Sequence, residues 1–168
     1  MQVTKTTGWK RNSSLSRALK MDAAETPQQQ APLRGGTETI FVADDEEPLR
    51  KLARAILEEF GYKVLLAKNG EQALELYALN REQIKLVILD VVMPRMGGHE
   101  AYKLLRSSGS RVPMIFMTGY SAEMLQSKFI ENTWMPLLQK PYSVEVLGRK
   151  VREVLDAYQQ PASLISHS

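Results

Sequence analysis

From Thr37 onward, short apolar runs alternate with stretches whose apolar residues recur at helical spacing. The runs are Thr39–Ala43, Val64–Ala67, Leu86–Leu89, Met114–Met117 and Met135–Leu138. Runs of this length, bounded by turn residues, predict strands. Between the first two, Pro48–Phe60 puts Leu49, Leu52, Ile56, Leu57 and Phe60 on one helical face. Pro48 suits a first helical turn and Gly61 suits a C-terminal cap. Gly70–Leu79, Gly98–Arg106 and Ala122–Ile130 predict three shorter helices. Val144–Tyr158 predicts a long one, with Val144, Leu147, Val151, Val154, Leu155 and Tyr158 in phase. The order strand–helix thus repeats five times. Strands apolar on both faces belong to a parallel sheet covered on either side. Short right-handed crossovers then give an α/β fold, a five-stranded doubly wound parallel sheet with helices on both faces.

Residues 1–36 break this pattern. They carry Gln28 to Gln30, two prolines and Gly35-Gly36, and read as a disordered basic leader or linker, with a short helix at Ser14–Met21. Residues 37–158 read as the folded domain and 159–168 as a tail. The 168 residues suit one domain. A pI near 9.1 invites a nucleic-acid reading, but the charge distribution removes it. Residues 1–36 hold six basic and two acidic side chains, net +4, while the rest holds 16 and 17, net −1. The basicity belongs to the leader, and a nearly neutral body is no polyanion surface.

The chain has no cysteine and two histidines, His99 and His167. Disulfides, thiolate metal sites and cysteine nucleophiles are excluded. Both histidines read as surface residues. Met93, Met96, Met114, Met117 and Met135 read as core, and Trp134 as the surface-near start of the fifth strand. No run is long and apolar enough to span a membrane, and the N-terminus lacks a signal-peptide core, so a cytoplasmic location is expected.

Chemistry in a doubly wound fold belongs at the carboxyl ends of the strands. There the sequence places Asp44 and Asp45 with Glu46 and Glu47 behind them, then Asp90, Thr118 and Lys140. Three partly desolvated carboxylates need a proton or a cation. Hard oxygen ligands without His or Cys favour Mg²⁺, which keeps several waters and takes one or two carboxylates plus a phosphoryl oxygen. A carboxylate can accept that phosphoryl group as an acyl phosphate. Asp90 is the natural acceptor, at the end of the central strand and before a loop with Pro94, Gly97 and Gly98. Lys140 would supply positive charge to phosphoryl oxygens, and Thr118 a hydroxyl hydrogen bond.

Four motifs, IFVADDEE (40–47), LVILDVVMPRMGG (86–98), MIFMTGY (114–120) and LLQKP (137–141), stand in an order and spacing that resembles the response-regulator receiver domain over about 37–158. The resemblance implies a flavodoxin-like receiver fold. It implies that Asp44 and Asp45 bind Mg²⁺, and that Asp90 is phosphorylated and also ligates the metal. Val92 would offer its backbone carbonyl to the metal. Thr118 would sense the phosphoryl group, Lys140 would contact it, and Pro141 would follow a cis peptide. One position departs from many receivers: Leu137 stands where an aromatic switch residue lies three places before the lysine. An aromatic rotamer switch therefore cannot operate there. The implied output surface combines the predicted helix at 122–130, the fifth strand and the last helix.

The implied partners are a histidine kinase or a histidine phosphotransfer protein, with a weak homodimer left open. RGGTETI and LLQKPYSVEVLGRKVREVLD also resemble receivers fused behind histidine kinases, and a stand-alone receiver, a relic of a hybrid and a fragment all fit. Only ten residues follow Tyr158, so no DNA binding in cis is expected. Two alternatives accompany this reading. A receiver-like docking module would never be phosphorylated. A haloacid-dehalogenase-like phosphatase would need D-x-D at the first strand, where this chain has adjacent aspartates. The expected role is therefore a phosphoacceptor signalling domain and not an enzyme acting on a separate substrate.

Overall fold

The computed structural model describes residues 33–120 and 135–159. In chain order they form β1 (Thr39–Ala43), α1 (Glu47–Glu59), β2 (Lys63–Ala67), α2 (Gly70–Asn80) and β3 (Ile84–Asp90). There follow α3 (Gly98–Ser107), β4 (Met114–Thr118), β5 (Leu137–Gln139) and α4 (Val144–Gln159). The strands make one sheet in the order β2-β1-β3-β4-β5, and every pairing is parallel.

Because successive side chains of a strand point to opposite faces, an unbroken apolar run must be covered twice. In β1, Ile40 and Val42 pack with Ala53, Ile56 and Leu57 of α1 and Leu147, Val151 and Leu155 of α4. Phe41 and Ala43, one residue out of phase, pack with Ala73 and Tyr77 of α2 and Leu105 of α3. The central strand β3 divides in the same way, Leu86 and Ile88 to one layer and Val87 and Leu89 to the other. The expected doubly wound sheet with helices on both faces is what the chain forms.

Helix ends follow local chemistry. After α1, Gly61 takes φ +89°. Its N–H donates to Glu58 O, and the Tyr62 N–H donates to Leu57 O, the paired bonds of a Schellman stop. At α2, the Asn69 side chain accepts from the Gln72 N–H.

Two boundaries differ from the sequence reading for identifiable reasons. The fifth strand begins at Leu137 and not at Met135. Pro136 has no N–H for the ladder, so it contributes only its carbonyl, which accepts from Phe116 N at 2.9 Å. The third strand starts two residues early, at Ile84, because Ile84 is buried and pairs with Thr39 while Lys85 alternates outward. His99, expected on the surface, is half-buried instead, with its ring stacked 6.3 Å from Tyr102 and tilted 6.4 Å from Phe116. Met93, Met114 and Met117 are core residues, and Met96 and Met135 are half-buried. The expected helices at Ser14–Met21 and Ala122–Ile130, residues 1–32 of the leader, Trp134, His167 and the tail from 160 lie outside the described residues. Among the described residues, no helix is long and apolar enough to cross a membrane.

Candidate functional site

The sheet order places β1 beside β3, where strand succession reverses and a crevice opens at the carboxyl edge. Asp44 follows β1, Asp90 ends β3, Thr118 ends β4, and Lys140 follows β5. The register continues this alignment. Asp90 lies opposite Met117, and Thr118 lies opposite Gln139, one residue before the lysine. The structure therefore brings Asp44, Asp45, Asp90, Thr118 and Lys140 to one edge.

Asp44 has no exposed surface. Its N–H donates to Ala67 O at 3.1 Å, and its Oδ1 accepts from Glu46 N at 2.9 Å, an Asx turn that opens the approach to α1. Its Oδ2 is buried and accepts no hydrogen bond among the described residues. Lys140 Nζ lies 2.7 Å from that oxygen. The contact is close enough for an ion pair but off hydrogen-bonding alignment, so the attraction is ionic and the lone pairs stay unmatched. Asp90, 5% exposed, accepts from Val92 N on Oδ1 at 3.2 Å and from Lys140 Nζ on Oδ2 at 2.5 Å. Asp45 is exposed at the rim. Asp44, Asp45 and Asp90 each present an oxygen within 4.8 Å of the others.

One ammonium thus serves two buried carboxylates, and the protonation balance follows. Burial raises the pKa of Asp90, and the hydrogen bond and charge of Lys140 only partly offset it. Burial lowers that of Lys140, but the Asp44 and Asp90 carboxylates beside it outweigh this and the net shift is upward. Both groups shifting up is consistent, because the lysine gains two partners while Asp90 shares its cation with Asp44. The anionic pocket is under-neutralised. Its orphaned Asp44 Oδ2 and purely oxygen donor set fit Mg²⁺, which would be held by Asp44, Asp45 and Asp90.

Thr118 is 1% exposed. Its Oγ1 accepts from Tyr120 N at 2.9 Å, which leaves the hydroxyl proton to donate elsewhere. Its carbonyl accepts from Lys140 N at 2.7 Å. Val92 stands half exposed at the mouth. Leu137 lies in β5 opposite Phe116, packed with the α2–α3 layer. The Lys140–Pro141 peptide is cis.

The acceptor loop is held by close backbone approach. Gly98 N–H donates to Val91 O, and a Cβ on Gly98 would lie 2.2 Å from Asp90 O. Gly98→Ala should therefore cost about 1–3 kcal/mol by overpacking, more than the roughly 0.5–1 kcal/mol that alanine gains over glycine in a helix. Urea unfolding checks it, and an unchanged midpoint would show that the loop yields freely.

Of three further side chains at the site, the sequence places Glu46 there without a role, and Arg50 and Tyr142 escaped the sequence reading. Glu46 Oε1 lies 3.8 Å from Lys140 Nζ. Arg50 reaches the carbonyls of Asp44 and Asp45. Tyr142 buries a hydroxyl that has no hydrogen-bond partner among the described residues, and its pKa is raised by burial and then by the Asp44 charge. Position in sequence gave a weak signal for each: Glu46 adjoins the aspartates, Arg50 lies one helical turn in, and Tyr142 follows Pro141.

The family profile described as response regulator receiver domain matches residues 40–152. Response regulator RR06 of Streptococcus pneumoniae is 33% identical over 119 residues, 71% of this chain and 54% of that protein. Sensor kinase CckA of Brucella abortus is 29% identical over 134 residues, 80% of this chain and 14% of that protein. The chain spans about half the length of the curated response regulators it matches. Among solved structures, the receiver domain from hybrid histidine kinase CckA is 31% identical with TM-score 0.59, covering 70% of this chain and 98% of its own. A Francisella response regulator 1452 receiver domain, at 23% identity, shares the fold with TM-score 0.64, over 73% of this chain and 100% of its own.

Proposed function

Because the chain belongs to the response-regulator receiver family of two-component signalling, we propose that residues 37–158 form a phosphoacceptor domain in which Asp90 takes a phosphoryl group from a partner's phosphohistidine. Receiver domains are signalling domains that interact with histidine kinases or phosphotransfer proteins. One observation carries the reading: a single lysine ammonium lies 2.5 Å from Asp90 and 2.7 Å from Asp44, with a third carboxylate within 4.8 Å.

Asp90 Oδ1 bonds only the Val92 N–H among the described residues, which leaves electron density on that oxygen for attack. As the oxygen–phosphorus bond forms, the phosphorus–nitrogen bond of the phosphohistidine breaks, and its electron pair returns to the imidazole. Lys140 faces the developing equatorial charge. Asp44, Asp45 and Asp90 would hold Mg²⁺, which would offset their charge and supply positive charge toward the phosphoryl oxygens. Asp44 and Asp45 hold that position open on the β1 side. Thr118 then donates its hydroxyl proton to the acyl phosphate. Output follows as protein binding or onward phosphotransfer, through β5 and α4, with no aromatic rotamer at Leu137.

Incubation with acetyl phosphate and Mg²⁺ should add one phosphoryl mass to the intact protein, and chelation should prevent it. Absence of the added mass would favour a docking module that is never phosphorylated. Turnover of a generic phosphomonoester would point to a phosphatase instead.

A further inference from the structure

Arg50 sits on the second turn of α1, half-buried. Its Nη1 donates to Asp44 O at 2.5 Å and to Asp45 O at 3.3 Å. One guanidinium nitrogen therefore straddles the carbonyls of two successive residues, at the point where the chain leaves β1.

The two aspartates depend on this contact to different degrees. Asp44 is also tied by its N–H to β2 and by its carboxylate to Glu46 N. The Asp45 carboxylate makes no hydrogen bond or ion pair among the described residues, and Asp45 O bonds to Arg50 alone. A rim aspartate with no other tether samples many rotamers, and each costs entropy to immobilise around an ion.

We propose that Arg50 is a positioning residue for the acidic pair, holding the Asp44–Asp45 backbone so that Asp45 joins Asp44 and Asp90 around a divalent cation. This rests on the metal-site reading above. The sign of the effect makes it testable. Arg50 carries a positive charge beside a cation site, so electrostatics alone says that removing it tightens Mg²⁺ binding. Positioning says the reverse, because lost outer contacts typically cost about 10–100-fold in metal affinity.

The experiment is calorimetric titration of Mg²⁺ into the parent chain and R50A, at low and high ionic strength, with urea unfolding of each without metal. The expected result is binding at least about tenfold weaker in R50A, at both salts. A charge effect would shrink as salt screens it, whereas a positioning effect persists. Affinity equal to the parent or tighter overturns the inference. If R50A does not fold, R50Q carries the same test with the same reading. Should the parent itself bind no Mg²⁺, the metal-site reading fails and takes this inference with it. Parent binding that R50A leaves undiminished overturns this inference alone.

Discussion

Replacing Asp90 by Asn is expected to abolish phosphoryl labelling by acetyl phosphate and by any phosphohistidine donor. The amide carries no anionic oxygen, so the nucleophile is gone, and the loss should be complete within detection. The fold should survive. Asparagine has the same shape and can still accept from the Val92 N–H. It also removes a charge whose ionisation burial opposes and which repels Asp44. Stability should therefore stay within about 1 kcal/mol of the parent or rise, in line with the small cost of isosteric polar changes that leave no orphaned charge. Intact mass after incubation reads the labelling, and a urea midpoint reads the fold. Labelling of the variant at the parental level would show that Asp90 is not the acceptor.

Lys140→Met is expected to have the largest effect on stability without metal, about 3–5 kcal/mol, the usual cost of removing one partner from a buried ion pair. Here the cost falls on two carboxylates at once. Asp44 is wholly buried and Asp90 nearly so, and the ammonium bridges them. Methionine fills similar volume, so little of the loss arises from a cavity. The parent and variant should also differ in pH dependence. In the parent the lysine pKa is raised on folding, burial notwithstanding, because Asp44 and Asp90 both favour its charged form. That contribution is fully present at neutral pH and is lost only as pH rises through the raised lysine value, above roughly 10.5. Burial already raises the Asp90 pKa in the parent, and the variant loses the lysine that partly offsets that rise. Its stability should therefore fall more steeply than the parent's as pH rises from acid to neutral. Added Mg²⁺ should restore more stability to the variant than to the parent. Urea titrations across pH, with and without Mg²⁺, check both statements. A variant as stable as the parent at neutral pH without metal would mean that the two aspartates need no cation.

Fold class was legible because its signal is redundant. Every apolar run in β1, β3 and β4 has a buried partner on both faces, so periodicity alone demands two helical layers. The edge of β5 was not legible. An apolar stretch that includes Pro136 reads as strand until the neighbouring ladder shows that the missing N–H leaves Pro136 with only a carbonyl to share. His99 failed similarly: its polarity suggests solvent, and while helical spacing sets it beside Tyr102, only the packing of α3 against the sheet brings its ring to Phe116.

The candidate site divides along the same line. Which side chains stand at strand ends is a matter of linear order, because an apolar run must stop at a polar residue. Asp44, Asp90, Thr118 and Lys140 therefore announce themselves one by one. Their meeting depends on strand order and register, which bring residues 50 apart within 2.5 Å. Linear order is likewise silent on the sharing of one lysine by two carboxylates, the unmatched oxygen on Asp44, the reach of Arg50 to two carbonyls and the buried hydroxyl of Tyr142. Each depends on the direction and burial of a side chain, and these arise only when separate segments pack and exclude water from between them.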